Sequence, residues 1–491
     1  MTRRPALRPP FPRQDFAASL VVFLVALPLC VGVAVASGVP AELGLVTGIV
    51  GGLLTGLLPG SSLQVSGPAA GLTVLVLEAV QEHGLAALGV ITLAAGALQL
   101  AMGALKLGRW FRAISLSVVQ GMLAGIGLVL IAGQLYALAD AKAPGNGPAN
   151  LAGLPRLIAD TAGDPRTLTA AALGAGTVLV LVLWPRLPAK VRVLPGPLAA
   201  VGLATAATAL LDLDVAKVKV AGLLDVVHLP GSSDVAVLTE LGALGTVVAF
   251  ALIASAESLF SAAAVDRLHD GPRTDYDKEL IAQGAGNTVC GLLGALPMTA
   301  VIVRSAANVQ AGARTKASRV LHGVWLLLFT ALIPSALSVI PLAALAGVLV
   351  HAGAKLVPVR SLVPLWREHR GEAVVLGATA VAIVVTNLFE GVLLGLLLAI
   401  LKTAWETSHL HVEPVDQPDG SIRVRLAGNA TFLRLPRLLE TLERLPTDRQ
   451  IHLDLSELRH LDHACRSALE TWAERHNQTA GHQAVLIPAL V

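Results

Sequence analysis

Two ionisable side chains lie inside long apolar stretches of the sequence. Arg304 stands in "VIVRSAANVQ" with no acidic neighbour, and Glu257 stands in "FALIASAESLFSAAAVDR". A charge in the core of a lipid bilayer costs about 2.5–3.5 kcal/mol on insertion scales, and such residues usually face a cavity or a partner. We therefore expect Arg304 to take part in an anion-binding site. The alternatives are a structural ion pair and snorkelling towards the membrane surface.

Glu257 is the candidate residue for a coupling ion. Ser261 follows it by one helical turn and lies on the same helix face. A carboxyl group in a low-dielectric site can hold a proton at neutral pH. Glu257 can instead ligate sodium, or pair with Arg304 when no substrate is bound. A fixed structural ion pair is the alternative without transport chemistry.

The composition is typical of a membrane protein. Of 491 residues, 54% are hydrophobic and only 14% are charged, whereas ordinary soluble domains carry about 25% charged residues. The charges are clumped between long apolar runs, which indicates an α-helical polytopic membrane protein in contact with a lipid bilayer. A net charge of only +3 gives no reason to expect nucleic acid as a partner.

No enzymatic chemistry is indicated by the motifs. His322 and His351 are isolated, and we find no metal-ligand spacing, phosphate-cradling loop or nucleophile–base arrangement. Cys30, Cys290 and Cys465 cannot make a disulfide framework and are expected to be free small hydrophobic residues. The sequence thus predicts a protein that is not an enzyme and has no metal site or cofactor, apart from a coupling proton or sodium ion.

Fourteen apolar segments divide the chain into membrane and soluble parts. A first run that continues past residue 36 without a cleavage pattern is expected to be retained. We predict a cytoplasmic N-terminal segment at 1–15, a transmembrane transport domain at 16–407 and a small cytoplasmic α/β domain at 408–491. The segments lie near 16–37, 43–59, 63–82, 85–105, 112–136, 167–185, 191–211, 239–265, 279–296, 297–313, 320–340, 342–357, 371–388 and 390–407.

Loop charge supports this count. If the N-terminus is cytoplasmic, basic residues concentrate in the inside loops, as the positive-inside rule requires. Merging the ninth and tenth segments would move the basic loop 314–319 outside and reverse every later loop. The inside loops include Arg3, Arg4, Arg8, Lys190, Arg192 and Lys355, whereas the outside loops hold only Lys142, Arg156, Arg166, Lys217 and Lys219.

Segments three and ten are both interrupted by glycine and proline. We expect 61–67 to be extended and followed by a half-helix over 68–82 that begins with Pro68. In segment ten, "MTAVIV" is expected to be extended before a half-helix over about 303–313. Corresponding interrupted segments in two sets of seven spans are typical of an inverted-repeat transporter, here a 7+7 arrangement.

The two half-helix N-termini would face each other. Each carries about half a positive charge and several unpaired N–H groups, so together they form an anion site that needs no side chain. Pro28 is expected to break segment one. Its small neighbours, such as Cys30 and Gly32, line a cavity or, equally well, permit close helix packing.

These stretches resemble the SulP/SLC26 anion transporters. The resemblance covers nearly the whole chain and rests on "ALPLCVGVAVASGVP", "SLQVSGPAAGLTVLV", "ASAESLFSAAAVDRLHDGPRTDYDKELIAQGAGNTVCGLLGALPMT" and "VIVRSAANVQAGART". It implies seven plus seven inverted repeats in a core and a gate domain, a dimer, and an elevator-like motion. The site implied by the resemblance comprises Pro28, Cys30, Gly67, Pro68, Ala69, Glu257, Val303, Arg304 and Ser305.

The tail from residue 409 looks like the STAS domain of the same family. "SIRVRLAG" alternates as a strand, and "QIHLDLSEL" and "AVLI" are predicted as further strands. "TFLRLPRLLETLERL" and "LDHACRSALETWAERHNQ" are predicted as helices. In phosphorylated STAS relatives a serine follows the aspartate after the central strand, whereas here His463 follows Asp462.

The predicted function is secondary active transport of a small anion, coupled to protons or sodium, in the inner (plasma) membrane. Sulfate and bicarbonate lead on family analogy, with chloride and dicarboxylates as further substrates of the family. A homodimer is expected. A nucleobase permease of the same 7+7 fold and a passive anion channel are the alternatives.

Overall fold

The computed structural model describes residues 13–113, 115–188, 191, 194–219, 222, 226–480 and 485–486. The chain divides into two compact units, Met1–Gly395 and Leu396–Val491. Most of the predicted N-terminal segment 1–15 lies outside the described residues, and so do Arg3, Arg4, Arg8, Lys190 and Arg192 of the loop-charge argument. The predicted boundary at residue 408 stays a prediction.

The first unit is predominantly helical, with a helix or half-helix in each of the predicted apolar segments. Its α-helices are α1 Arg13–Ala36, α2 Ala41–Val50, α3 Thr73–His83, α4 Leu85–Ala104, α5 Leu116–Leu138, α6 Gly147–Gly163, α7 Pro165–Leu183, α8 Gly196–Leu210, α9 Ser232–Val235, α10 Leu241–Val265, α11 Tyr276–Leu292, α12 Ile302–Gln310, α13 Ala317–Leu332, α14 Leu342–Leu356, α15 Val359–Glu368 and α16 Arg370–Val385, and α17 Leu388–Thr407 continues into the second unit.

Among the described residues, seven helical stretches are long and apolar enough to cross a membrane. One of them, Leu342–Glu368, comprises α14 and α15 together. The other apolar helices are shorter, so the number of crossings stays a prediction. Three helices were not expected from the sequence. These are α6, the short α9, and α15, which follows α14 after a turn at Pro358.

The expectation that Pro28 breaks the first segment was wrong. Helix α1 runs from Arg13 to Ala36 with Pro28 inside it. Proline removes one backbone hydrogen bond, but neighbouring helices re-satisfy the freed groups of a membrane helix, so it is tolerated there. Residues 13–36 therefore form one continuous helix.

The predicted interruption of segments three and ten is confirmed. Two short strands, β1 Ser66–Pro68 and β2 Met298–Ala300, pair antiparallel, with Gly67 opposite Thr299. A 3₁₀ turn at Ala70–Leu72 leads from β1 into α3, and α12 begins two residues after β2. Pro68 was expected in the first helical turn but ends β1, a position where its missing N–H costs no helical hydrogen bond.

Buried polar side chains of the surrounding helices hold this strand pair. The Asn287 amide accepts from the Met298 N–H at 2.7 Å and donates to its carbonyl at 3.1 Å. The Gln283 amide donates to the Ser66 hydroxyl at 2.7 Å, and the Ser258 hydroxyl accepts from the Ala300 N–H at 3.2 Å. Each strand is thereby fixed by α10 or α11 as well as by its partner.

Close packing of α4 against α11 brings Asn287 into position. A Cβ on Gly96 of α4 would lie 2.4 Å from the backbone nitrogen of Thr288 in α11. A Cβ on Gly284 of α11 would lie 2.6 Å from the backbone nitrogen of Leu100 in α4. Only glycine permits this approach of two helix backbones. The contact also lets Asn287 donate to the Gln99 side chain at 2.7 Å.

After the end of α17, the second unit contains a mixed four-stranded sheet and two helices. The strands lie in the order β3-β4-β5-β6, with β3 and β4 antiparallel and the other pairs parallel. The helices and strands that the sequence predicted are present, although only Val485 and Leu486 of the last strand are described, and β3 was not predicted. The elements are β3 Leu410–Asp416, β4 Ile422–Ala430, α18 Leu435–Glu443, β5 Ile451–Leu461, α19 His463–Ala480 and β6 Val485–Leu486.

Candidate anion site

The ends of the β1–β2 pair expose a set of backbone N–H groups. In α12 the first helical hydrogen bond runs from the Ser305 N–H to the Val301 carbonyl at 3.0 Å, so residues 302–304 have no acceptor within the helix. In the turn after β1 the first such bond runs from Leu72 to Ala69, at 3.1 Å. The N–H groups of Ala70 and Gly71 are therefore free of helical bonds as well. Both helix starts thus carry partial positive charge.

Arg304 adds a full positive charge to one of these helix starts. Its side chain is only 1% exposed. Nη2 donates to the Pro68 carbonyl at 3.2 Å, while Nε and Nη1 have no hydrogen-bond partner among the described residues. Buried donors without acceptors cost about 1–3 kcal/mol each, more when charged, so an anionic ligand at this point would be strongly favoured.

Gly67 is the residue that makes room for the guanidinium group. A Cβ at position 67 would collide with Nη1 of Arg304. Glycine is therefore required here because a charged side chain approaches the β1 backbone closely. Cys30 lies on the same side, close enough to Arg304 for the two groups to interact electrostatically.

Glu257 lies at the other helix start. Its side chain is 8% exposed, and a Cβ at Gly71 would collide with its Oε1. The Thr299 hydroxyl, which belongs to β2, lies close enough to the carboxyl group to interact with it. Among the described residues no acidic oxygen lies within 4.0 Å of the Arg304 guanidinium, so the pairing of Glu257 with Arg304 considered from the sequence is not present.

Arg304 and Glu257 line one cavity of about 150 Å³. One wall is formed by α1, the turn after β1, α10 and the start of α12, and the other by α5, α7, α8 and α14. The polar groups in its lining are few and the rest is apolar, as is common for small-molecule sites. Of the predicted site residues, Pro68, Ala69, Glu257, Ser261, Val303 and Arg304 line this cavity.

The other predicted site residues lie behind the cavity. On α1 it is Leu29 and Val33 that face the cavity, whereas Pro28 and Cys30 are buried on other faces of the helix. Gly67 does not line the cavity, but it makes room for the Arg304 side chain, which does. The Ser305 hydroxyl accepts from the Val65 N–H at 2.9 Å and donates to the Val301 carbonyl at 2.8 Å, so it positions α12.

Ser261 has a structural contact in addition to its place in the cavity. Its hydroxyl donates to the Ala300 carbonyl at 2.9 Å, at the end of β2. The oxygen lone pairs remain available, so a role beside Glu257 in holding a cation stays a prediction. Within the described part of the chain, no three His, Cys, Asp or Glu side chains are grouped as metal ligands.

Sequence reasoning missed two cavity residues on α14. His351 and Lys355 are one helical turn apart and line the wall opposite Arg304. The i, i+4 spacing of two basic residues at the end of an apolar helix was the available signal. In the sequence His351 is an isolated histidine and Lys355 is one of the basic residues of an inside loop. Thr299 was not predicted as a site residue because its position beside Glu257 depends on the pairing of β1 with β2.

Comparison with known proteins agrees with this geometry. Residues 13–379 match the family model described as "Sulfate permease family". Bicarbonate transporter BicA of Picosynechococcus sp. is 28% identical over 438 residues, which make up 84% of this chain and 74% of that protein. A protein of Mycobacterium tuberculosis named as a probable sulfate transporter is 26% identical over 413 residues, 81% of this chain and 71% of that protein. The fold is shared with the murine Solute Carrier 26 family member A9 anion transporter in the inward-facing state, with a TM-score of 0.77. The two are 16% identical, and the match covers 98% of this chain and 86% of that chain.

Proposed function

The chain belongs to the sulfate permease (SulP/SLC26) family, whose members include sulfate and bicarbonate transporters, and from this premise we propose that it is a secondary active transporter of a small oxyanion such as sulfate or bicarbonate. The observation that carries the proposal is the buried Arg304 with two unpartnered nitrogen donors at the start of α12. Together with the free N–H groups of both helix starts, it supplies donors to several oxygens of one anion.

Uptake by the purified full chain in proteoliposomes tests this proposal. Sulfate, bicarbonate, chloride and fumarate are offered under imposed proton and sodium gradients. We expect saturable uptake of an oxyanion and its stimulation by one of the two gradients. Currents that do not saturate and ignore both gradients would favour a passive channel instead.

Coupling is proposed to operate through Glu257. An ionised carboxylate at the Gly71 helix start would repel an anion in the same 150 Å³ cavity. Protonation would remove that repulsion, and a sodium ion beside Glu257 and Ser261 would cancel it. In either case cation and anion bind together, which is the thermodynamic requirement for symport.

Alternating access is proposed to occur by an elevator-like movement of one cavity wall against the other. The wall that carries Arg304 and Glu257 is tied together by the β1–β2 pair. The wall with α5, α7, α8 and α14 faces it across the cavity and also packs directly on α1, where Gly32 lies beside Leu349 of α14. Introduced cysteines at Ala69 and Ala352, joined by a bifunctional cross-linker, should stop uptake until the cross-link is cleaved. Undiminished uptake by the cross-linked protein would contradict the movement.

The same proposal includes fourteen crossings in two inverted sets of seven, as core and gate domains, in the inner (plasma) membrane. Supporting it are the matching interruptions at β1 and β2 and the shared fold with a Solute Carrier 26 protein. The mixed α/β second unit is proposed to be a cytoplasmic STAS domain, and the transporter to be a homodimer. Protease protection of tags on both sides and cross-linking in native membranes test these points.

The nucleobase permease considered from the sequence is not favoured. The family model and the named relatives belong to inorganic anion transporters. Two unpartnered donors on a fixed positive charge suit an oxyanion, whereas a neutral base would leave that charge uncompensated.

A further inference from the structure

Helix α15 is a ten-residue helix between two apolar helices. Helix α14 ends at Leu356, the chain turns at Pro358 with φ −82° and ψ 53°, and α16 begins at Arg370. At 1.5 Å per residue α15 is about 15 Å long, half of the ~30 Å hydrocarbon core. It therefore cannot cross the membrane and must lie at the membrane end shared by α14 and α16.

One face of α15 is apolar and exposed. Val359, Val363 and Trp366 are spaced i, i+4 and i+7, so they form a single stripe. Their exposed fractions are 65%, 58% and 54%. Leu362 and Leu365, on the neighbouring side, are half-buried. The helix thus packs on the protein with one side and leaves a second apolar side uncovered.

A basic stripe lies next to the uncovered apolar stripe. Arg360 and Arg367 are seven residues apart, which places them two turns apart on the same side of the helix. Both are exposed, and neither has an ion pair or hydrogen bond to any residue that the structure describes. Lys355 and Arg370 flank the helix with further positive charge.

We propose that α15 lies in the plane of the cytoplasmic membrane surface and binds anionic phospholipid headgroups through Arg360 and Arg367. The faces of α15 follow one another in the order that this placement requires. One face packs on the protein, the apolar stripe next to it points towards the acyl chains, and the arginines on the far side of that stripe lie at the height of the headgroups. Long arginine side chains reach headgroups while their stems cover apolar surface. Trp366 is of the residue type that is enriched at this depth.

The cytoplasmic side follows from the basic residues of this loop, which the positive-inside rule places there together with the anionic lipid of that leaflet. Helix α15 is joined to α14 by two residues, Val357 and Pro358, and α14 carries His351 and Lys355 in the cavity wall. A lipid bound at α15 is therefore attached to one wall of the transport cavity. This inference goes beyond the proposed transport function and does not depend on the identity of the transported anion.

Quenching of tryptophan fluorescence by brominated lipids tests the proposal. The full chain is reconstituted in phosphatidylcholine vesicles that contain dibrominated phosphatidylglycerol or, in parallel, dibrominated phosphatidylcholine. The difference between the wild type and W366F isolates the signal of Trp366 from the other five of the six tryptophans. The variant R360Q/R367Q tests headgroup recognition, and R437Q/R459Q, which removes two exposed arginines of the second unit, is the matched control.

We expect Trp366 to be quenched by both lipids and to prefer the anionic one. Each basic residue near an anionic surface strengthens association about five-fold, so R360Q/R367Q should lower the preference for phosphatidylglycerol about 25-fold, while R437Q/R459Q leaves it unchanged. Absence of quenching at Trp366 would overturn the in-plane placement. Equal quenching by the two lipids, or an unchanged preference in R360Q/R367Q, would overturn headgroup binding.

Discussion

Substitution of Arg304 by alanine is the most direct test of the anion site. Arg304 is 1% exposed and has two side-chain nitrogens without partners among the described residues. Unit charges 4 Å apart attract each other by about 4 kcal/mol at the effective dielectric constant of about 20 that suits protein sites. Because 1.36 kcal/mol corresponds to a factor of ten, R304A should weaken binding of a monovalent anion about 1000-fold.

The assay combines equilibrium binding of radiolabelled sulfate and bicarbonate with uptake kinetics in proteoliposomes. R304K keeps the charge but loses the fork of donors, so we expect an intermediate loss of about ten-fold. R437Q, which removes an exposed arginine of the second unit that does not line the cavity, serves as a matched control with the same change of net charge. A folded R304A protein with wild-type affinity for every transported anion would refute the reasoning.

Gly67 provides a second test that leaves the charge in place. A Cβ at position 67 would collide with Nη1 of Arg304, so G67A should displace the guanidinium group and weaken anion binding. In the R304A background the collision no longer exists, and G67A should have little further effect. A double-mutant cycle measures this coupling. Additive effects of the two substitutions would show that Gly67 matters for the strand pair rather than for Arg304.

Three further predictions concern Glu257, Lys355 and Asp462. E257Q should leave anion binding intact but remove its dependence on the proton or sodium gradient, and a gradient dependence equal to that of the wild type would place coupling at another residue. K355Q should lower uptake at limiting substrate about five-fold at low ionic strength and by less at high salt, because an exposed charge acts through solvent; an effect that ignores salt would contradict this. In the second unit, partial burial would raise the pKa of Asp462, but hydrogen bonds from the backbone N–H groups of Cys465 and Phe432 lower it on balance. A lowered folded-state pKa adds to the free energy of unfolding above the unfolded pKa, and this contribution is lost as pH falls through the folded pKa. D462A should therefore lower the free energy of unfolding by about 1 kcal/mol at neutral pH, and D462N by less. Urea unfolding of the full chain, followed by proteolysis, measures both.

Local chemistry made the two interrupted segments predictable. Ser66-Gly67-Pro68 and Pro297 forbid regular helix, and the short helices that follow were expected to within a few residues. The pairing of β1 with β2 was not predictable in the same way, because its register depends on residues more than 200 positions apart. Asn287 and Gln283 help to fix that register from α11.

The orientation of the cavity helices could not be read from the sequence. Helix α1 is apolar on all sides, so no pattern distinguishes the face with Leu29 and Val33 from the face with Cys30. The family resemblance predicted that span one lies near the site, but it did not predict which face of that helix points into the cavity. His351 was misread for the same reason, since its environment is set by tertiary packing of α14.

The geometry also explains why two opposite charges can share one small cavity without neutralising each other. Gly67 admits Arg304 to the backbone of β1, and Gly71 admits Glu257 to the turn that follows, so each charge is held at its own helix start. The helix start at Gly71 would stabilise an ionised Glu257 carboxylate. The start of α12 and Arg304 are both positive, and no acidic side chain among the described residues pairs with Arg304. Under the proposed mechanism an anion would complete the second site, and its affinity would depend on whether Glu257 is charged. The proposed coupling between a cation and the transported anion would then be a consequence of where Gly67 and Gly71 let Arg304 and Glu257 lie.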